Sequence, residues 1–596
     1  MKKRWEVEEK DTWRLEDLFP APESWEEEFL KAKEAVGEYD RFQGKLGEAA
    51  GMLADALDFD SRFSLGVERL YVYARMRSDE DTADQENQER FGRIQSLSFE
   101  ASRRSSFLVP EILEISPKRL EEWMEREPRV RGYRRFLDQL LARREHTRSR
   151  EIEELLAQAQ DALQGAAQVF AMFNNADIRF PAVTGENGQP LPVTHGNFIS
   201  LMSNEDRRIR REAFQALYSV YGQFQNTLAA AFGANVKQAV FYARARGYSS
   251  SREYYLSQNE IPESVYDNLV AAVREHLPLL HRYVQIRKRA MGLEELHFYD
   301  LYAPMVAGVD RTYTLEEAKK LALAGLKPLG EEYGALLEEG FKGRWIDAYE
   351  NEGKRSGAYS WGAYGTHPYV LMNFDGRLND VFTLVHEMGH SLHTYYSNQA
   401  QPYVYAGYRI FVAEVASTCN EALLIRYLLE NSRDPREKRY LVNHFLESFR
   451  ATLFRQTMFA EFEKEAHDMA LEGRPLTAQA LRELYFKLNQ DYFGPDIRAD
   501  EEIGLEWERI PHFYTPFYVY QYATGFSAAI AISSGILKGD AQVLEGYRRF
   551  LGGGCSMAPM ELLKLCGVDM TTKQPVEEAM KVFEGLLNQF EELGEK

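Results

Sequence analysis

TLVHEMGHSLHTYY, residues 383–396, places His386 and His390 four apart, Glu387 beside the first, and His393 three beyond the second. At about 100° per residue the three histidines share one face of a helix, while Leu384, Met388 and Tyr395 gather on the opposite face with Val381 and Leu392 close by. The stretch therefore reads as an amphipathic helix whose polar face is made of imidazoles. Histidines satisfied inside a core would mix with the apolar positions, and these are segregated from them. Two residues four apart on one face can each bring a ring nitrogen to about 2.0–2.1 Å from one zinc ion. His393 lies about 10.5 Å along the axis from His386, too far to share that ion, so it is expected to face substrate or to support the ligands from behind.

A catalytic zinc site takes three protein ligands and keeps one position open. The metzincin spacing would need glycine at 393 and histidine at 396, where this chain has His393 and Tyr396. A carboxylate from a second helix is the alternative. RIFVAEVASTCNEALLIRYLLE, residues 409–430, is strongly helical and carries Glu414 and Glu421 seven apart, on one face. A carboxylate buried in so apolar a helix needs a partner, and a metal is among the best. Glu414 is the expected third ligand, and Glu421 is expected to accept the outer N–H of a ligating histidine. For both, the competing reading is a surface acid or a structural ion pair.

Two further stretches fit work on a peptide. YVLMNF, residues 369–374, reads as a strand, either a core strand or one with an open edge along which an extended peptide pairs, which would put Tyr369 against substrate. PHFYTPFYVYQYATG, residues 511–525, crowds His512, Tyr514, Tyr518, Tyr520 and Tyr522 together. Hydrolysis at zinc creates an oxyanion, and one preorganised Tyr O–H or His N–H aimed at it contributes about 3 kcal/mol.

The remaining sequence bounds these readings. With 28% charged and 44% hydrophobic residues, the 596-residue chain has the composition of a globular protein. Its 92 acidic against 72 basic side chains give a net charge of -20, which repels nucleic acid and anionic lipid. Three scattered cysteines supply neither a disulfide framework nor a C-x-x-C pair, so a reducing cytoplasm is expected. The N-terminal MKKRWEVEEKDTW has no apolar run behind it, and the most apolar stretch, SAAIAISSGIL at 527–537, falls well short of the ~20 residues that cross a bilayer. Helical periodicity fills residues 24–176; DIRFPAVTGENGQPLPVTHGNF, 177–198, reads as a hairpin, and helices resume near Asp206. This divides the chain into an N-terminal helical domain, 1–200, ending in the hairpin region, and a mostly helical catalytic domain, 201–596.

VHEMGHSLH at 385–393, FVAEVASTCNEALL at 411–424 and HFYTPFYVYQYATG at 512–525, with YVLMNFDG at 369–376, together resemble the oligoendopeptidase F group of the zinc oligopeptidases, the family that includes thimet oligopeptidase. The resemblance implies a mainly α, ellipsoidal metallopeptidase with a deep central channel and a small β-sheet beside the active site. It implies one Zn2+ per chain on His386, His390 and Glu414, with Glu387 as the general base that activates water. It further implies that His512 and the tyrosines after it contact the transition state or the substrate. The spacing there departs from the mammalian members, so Tyr518 and Tyr522 are both carried as oxyanion donors, and Tyr514 and Tyr520 as substrate contacts. The expected activity is endopeptidase cleavage of short unfolded peptides. A helical zinc carboxypeptidase, and a peptide-binding protein without activity, are the rivals. Oligomeric state and cleavage preference are not legible.

Overall fold

The computed structural model describes residues 2–306 and 311–594. Helices dominate it, with three small sheets among the described residues. By packing, the chain divides into two compact units, each assembled from three separate stretches: Met1–Thr147, Arg311–Tyr427 and Ile532–Gly567 form the first, and Arg148–Asp310, Leu428–Ala531 and Val568–Lys596 the second. The division expected between residues 200 and 201 falls inside the second unit, in the short helix Phe198–Met202. No helix among the described residues is long and apolar enough to cross a membrane. No disulfide joins the three cysteines, and Cys419 and Cys566 are buried.

In the first unit, the helices Pro22–Ala35, Ala50–Glu80 and Gln85–Ser105 enclose an aromatic core that includes Trp13, Trp25, Tyr39, Phe59 and Tyr73. Tyr369 and Leu371 belong to the same core. They lie on the middle strand of a three-stranded sheet, in which Tyr369–Leu371 runs parallel to Ile346–Asp347 and antiparallel to Tyr359–Trp361. The strand expected at YVLMNF is present, and it is the core strand of the two readings. Both of its flanks are already paired, so it offers no open edge to a peptide.

Asp347 anchors this sheet. Its carboxylate meets Lys354 Nζ at 2.7 Å, with both side chains fully buried, and accepts from Arg4 Nη1 at 2.9 Å. Lys354 also donates to the carbonyls of Tyr349 and Met372, each at 2.7 Å. The middle strand then passes Gly376, whose φ of 82° needs a residue without a side chain, because a Cβ there would lie 2.9 Å from the Tyr313 carbonyl. The motif helix, Leu378–Ala400, starts at once, with Asp380 accepting from the backbone N–H groups of Asp375 and Arg377 at 3.0 and 2.8 Å.

The second unit is built along Arg207–Arg246, a helix of 40 residues begun by Asp206, whose side chain caps the Arg208 amide. The hairpin expected at 177–198 is present as Val183–Thr184 antiparallel to Pro190–Leu191. Glu506 sits in the 3₁₀ run Glu501–Arg509, where Arg455 at 2.9 Å, Arg509 at 3.0 Å and Tyr485 at 2.7 Å all donate to it. Burial raises its carboxyl, but the two guanidinium groups outweigh that and hold it down at about 2. This cluster fixes the approach to Pro511–Tyr514, a short 3₁₀ turn, and Asn235 Nδ2 adds a bond of 3.2 Å to the Phe513 carbonyl.

Lys354→Met removes the ammonium from a buried carboxylate and leaves backbone carbonyls short of a donor. It is expected to cost about 3 kcal/mol of stability, read as a lower urea midpoint, and an unchanged midpoint would count against the anchoring role.

Candidate metal centre

The motif helix buries Leu384, Val385, Met388 and Leu392 and leaves His386 and His390 half-buried on the other face. Their rings stand 4.8 Å apart between centroids and nearly perpendicular, at 82°. The second helix, Ile410–Asn431, lies against this one at an unusually close crossing. A Cβ on Gly389 would fall 2.6 Å from Ser417 Cα and 3.0 Å from the Ala416 carbonyl, so only glycine allows the approach. Asn420, fully buried, fastens the pair: its Nδ2 donates to the Val385 carbonyl at 3.2 Å, and its Oδ1 accepts from Tyr333 Oη at 3.0 Å.

This crossing brings both glutamates to the imidazoles. Glu414 Oε2 lies 3.4 Å from His386 Nε2 and 3.5 Å from His390 Nε2. One ligand atom from each of these three residues lies within 4.8 Å of the others. Ligand atoms about 2.0–2.1 Å from a tetrahedral ion stand about 3.4 Å from one another, so the donor set fits zinc with little movement. Ser417 Oγ donates to Glu414 Oε2 at 3.2 Å and orients it. On the far side of His386, Nδ1 is hydrogen-bonded to Glu421 Oε1, which leaves Nε2 to point at the shared centre.

The charges reinforce one another. Burial disfavours a charged His386, but the bond to Glu421 outweighs it and pushes the imidazole up to about 9. Burial likewise raises Glu414, while His390, His386 and Ser417 pull it down to about 2. Glu387 is 7% exposed. Burial pushes its carboxyl up, the two histidines pull it back, and Glu414 and Glu421 push it up again. A carboxyl held above its ordinary range is a better proton acceptor near neutral pH.

Three expected substrate contacts are corrected by burial. His393 is 1% exposed, stacked on Tyr408 at 3.7 Å and 5°, and burial pushes it down to about 3, so it is a neutral packing residue. Tyr369 is fully buried in the middle strand, its hydroxyl 3.3 Å from the Arg14 carbonyl. Tyr520 is 1% exposed and packs on Tyr266 at 5.0 Å.

The second unit gathers His512, Tyr518 and Tyr522, all half-buried. Tyr522 Oη lies 3.4 Å from His512 Nε2, and the Tyr518 ring stands 5.5 Å from that of Tyr522 and 6.2 Å from that of His512. Burial lowers the His512 pKa, favouring a neutral ring. The Tyr514 ring stacks on Phe170 at 4.2 Å.

Sequence reasoning passed over Gly389, Ser417 and Asn420. A glycine in mid-helix and an asparagine in an otherwise apolar helix are the signals that pointed to a close, polar-fastened contact.

The model of peptidase family M3 matches residues 200–582, more than half of the chain, and that of the oligopeptidase F N-terminal region matches 111–180. The oligopeptidase PepF of Bacillus subtilis (strain 168) is 49% identical over 590 residues, 99% of this chain and 88% of that protein. An oligoendopeptidase F homolog of Lactococcus lactis subsp. lactis (strain IL1403) is 40% identical, covering 100% of this chain and 99% of its own. Among solved structures, a putative peptidase from Chlamydophila abortus superposes with a TM-score of 0.93 at 34% identity, covering 99% of this chain and 100% of that one. Oligoendopeptidase-F from Enterococcus faecium superposes with a TM-score of 0.77 at 41% identity, covering 96% and 99%.

Gly389→Ala should force the two helices apart and lower zinc affinity at least tenfold, about 1.4 kcal/mol, in a chelator competition assay. An affinity equal to that of the parent protein would show that the close crossing is not what sets the ligand geometry.

Proposed function

The chain belongs to peptidase family M3, and on that premise we propose that His386, His390 and Glu414 hold one zinc ion per chain and that Glu387 is the general base. The protein is a metallo-oligopeptidase, and its substrates are peptides. The observation that carries the residue assignment is the position of Glu414 Oε2, 3.4 and 3.5 Å from the two imidazole Nε2 atoms. When bound, zinc supplies a Lewis acid that brings the pKa of a water ligand to about 7 and polarises the scissile carbonyl.

Glu387 takes the proton from the attacking water as the new C–O bond forms, then delivers it to the leaving amine as the C–N bond breaks. No acyl-enzyme is needed. Glu421 keeps His386 in the tautomer that presents Nε2 to the ion. His512, Tyr518 and Tyr522 are assigned to the oxyanion. Support comes from their mutual proximity and from the neutral state that burial favours for His512. Tyr514 is retained as a substrate contact, being half-buried with its ring stacked on Phe170.

The family match from residue 200 onward supports 201–596 as the catalytic region and 1–200 as the N-terminal region. Short, unfolded peptides cut internally are the proposed substrates, and three cysteines that form no disulfide support action in the cytoplasm.

Glu387→Gln is expected to bind zinc normally and to lose turnover by a factor of about 10² to 10⁴ on a quenched peptide. Near-native turnover in that variant would remove Glu387 from its role. Mass spectra of a decapeptide digest are expected to show internal cuts that disappear with chelator, whereas the release of single C-terminal residues alone would favour a carboxypeptidase.

A further inference from the structure

The side chains assigned to the oxyanion stand on either side of one turn. His512 belongs to the 3₁₀ turn Pro511–Tyr514, and Tyr522 to the helix Tyr520–Leu537. Between them Phe517 has a φ of 56°, in the left-handed region that residues with a side chain rarely adopt. Its ring is 3% exposed and packs on His467 at 4.6 Å, Tyr266 at 5.9 Å and Tyr255 at 6.2 Å.

The Phe517 amide donates to Glu463 Oε1 at 2.7 Å. Glu463 is fully buried on the helix Arg455–Leu471, and its Oε2 has no hydrogen-bond partner. Burial pushes this carboxyl up to about 8, partly relieved by the Phe517 N–H. A half-satisfied carboxyl in such surroundings is costly for stability and would be replaced at a gain by an apolar side chain if packing were its only task. The bond it does make falls on the one strained residue of the turn. Immediately beyond, the Tyr518 and Val519 carbonyls accept from the Gln521 and Tyr522 amides at 3.2 Å each. The backbone angle at Phe517 is thus passed directly into the first turn that carries Tyr522.

We propose that Glu463 is a positioning residue for the reaction: by holding the Phe517 amide it fixes the left-handed turn, and through it the placement of Tyr518 and Tyr522 against His512. This rests on the assignment of those three side chains to the oxyanion. Only an acceptor oxygen is required of Glu463, so glutamine serves and methionine, similar in size, does not.

The test compares Glu463→Gln and Glu463→Met in the full-length zinc enzyme, reading kcat and KM on a quenched peptide together with amide hydrogen exchange. Glu463→Gln is expected to stay within threefold of the parent kcat, with parent-like protection of residues 511–522. Glu463→Met is expected to lose kcat ten- to a hundredfold with KM within threefold. Its exchange should quicken in 511–522, while zinc content and protection of Leu378–Ala400 hold. Parent-like protection of 511–522 in Glu463→Met, or equal losses in both variants, overturns the proposal. Glu463→Ala, which adds no bulk, makes the same comparison where Glu463→Met fails to fold. Tyr522→Phe and His512→Ala separate the two ideas: full activity in both refutes the oxyanion assignment, while the exchange data still decide whether Glu463 holds the turn.

Discussion

The seam where Gly389 meets Ser417 is the constraint on which the metal centre depends. A glutamate side chain is short, and Glu414 reaches both imidazoles only because the two helix axes come closer than side-chain contact would normally permit. Closeness alone would leave the helices free to slide. Asn420 removes that freedom, because its buried amide is satisfied in one register only, between the Val385 carbonyl and the Tyr333 hydroxyl. In that register Glu414 meets the Nε2 atoms of both histidines and Glu421 the Nδ1 of His386, so a single helix supplies both the proposed third ligand and the group that orients the first.

A second line of support runs from the sheet into the motif helix. Asp347 and Lys354 are buried together, and Lys354 also binds the Met372 carbonyl just beyond the middle strand. The chain then has only a short, sharply turned passage before Leu378, where Asp380 gathers two backbone amides and starts the helix. The start of the helix is therefore held by the sheet, and its middle by the neighbouring helix.

Much of the centre was legible because its chemistry is periodic. His386, His390, Glu414 and Glu421 fall at helical spacings, and charged residues in apolar helices stand out. What was not legible depends on which surface covers which. Tyr369 reads the same in an edge strand and in a middle one; the pairing with Tyr359–Trp361 is local, but the parallel pairing with Ile346–Asp347 that closes the other flank is not marked in the local pattern. His393 shares the face of the ligands but lies under Tyr408, a residue of the loop that follows. Tyr520 was not within reach of helical-face reasoning, because the helix starts only at Tyr520 and Tyr518 lies before it. The division of the chain by packing was hidden for another reason, since each unit draws on three stretches that are remote in sequence.

Phe517 carries a mechanical consequence. A phenylalanine in the left-handed region stores roughly 1–2 kcal/mol of backbone strain that a glycine would not, and here the rings of His467, Tyr266 and Tyr255 offset it. A glycine at that point would give a swinging arm able to sample both signs of φ. With phenylalanine, relaxing the backbone means giving up the amide bond to Glu463 as well as prising three aromatic contacts apart, so the segment is held to one backbone geometry.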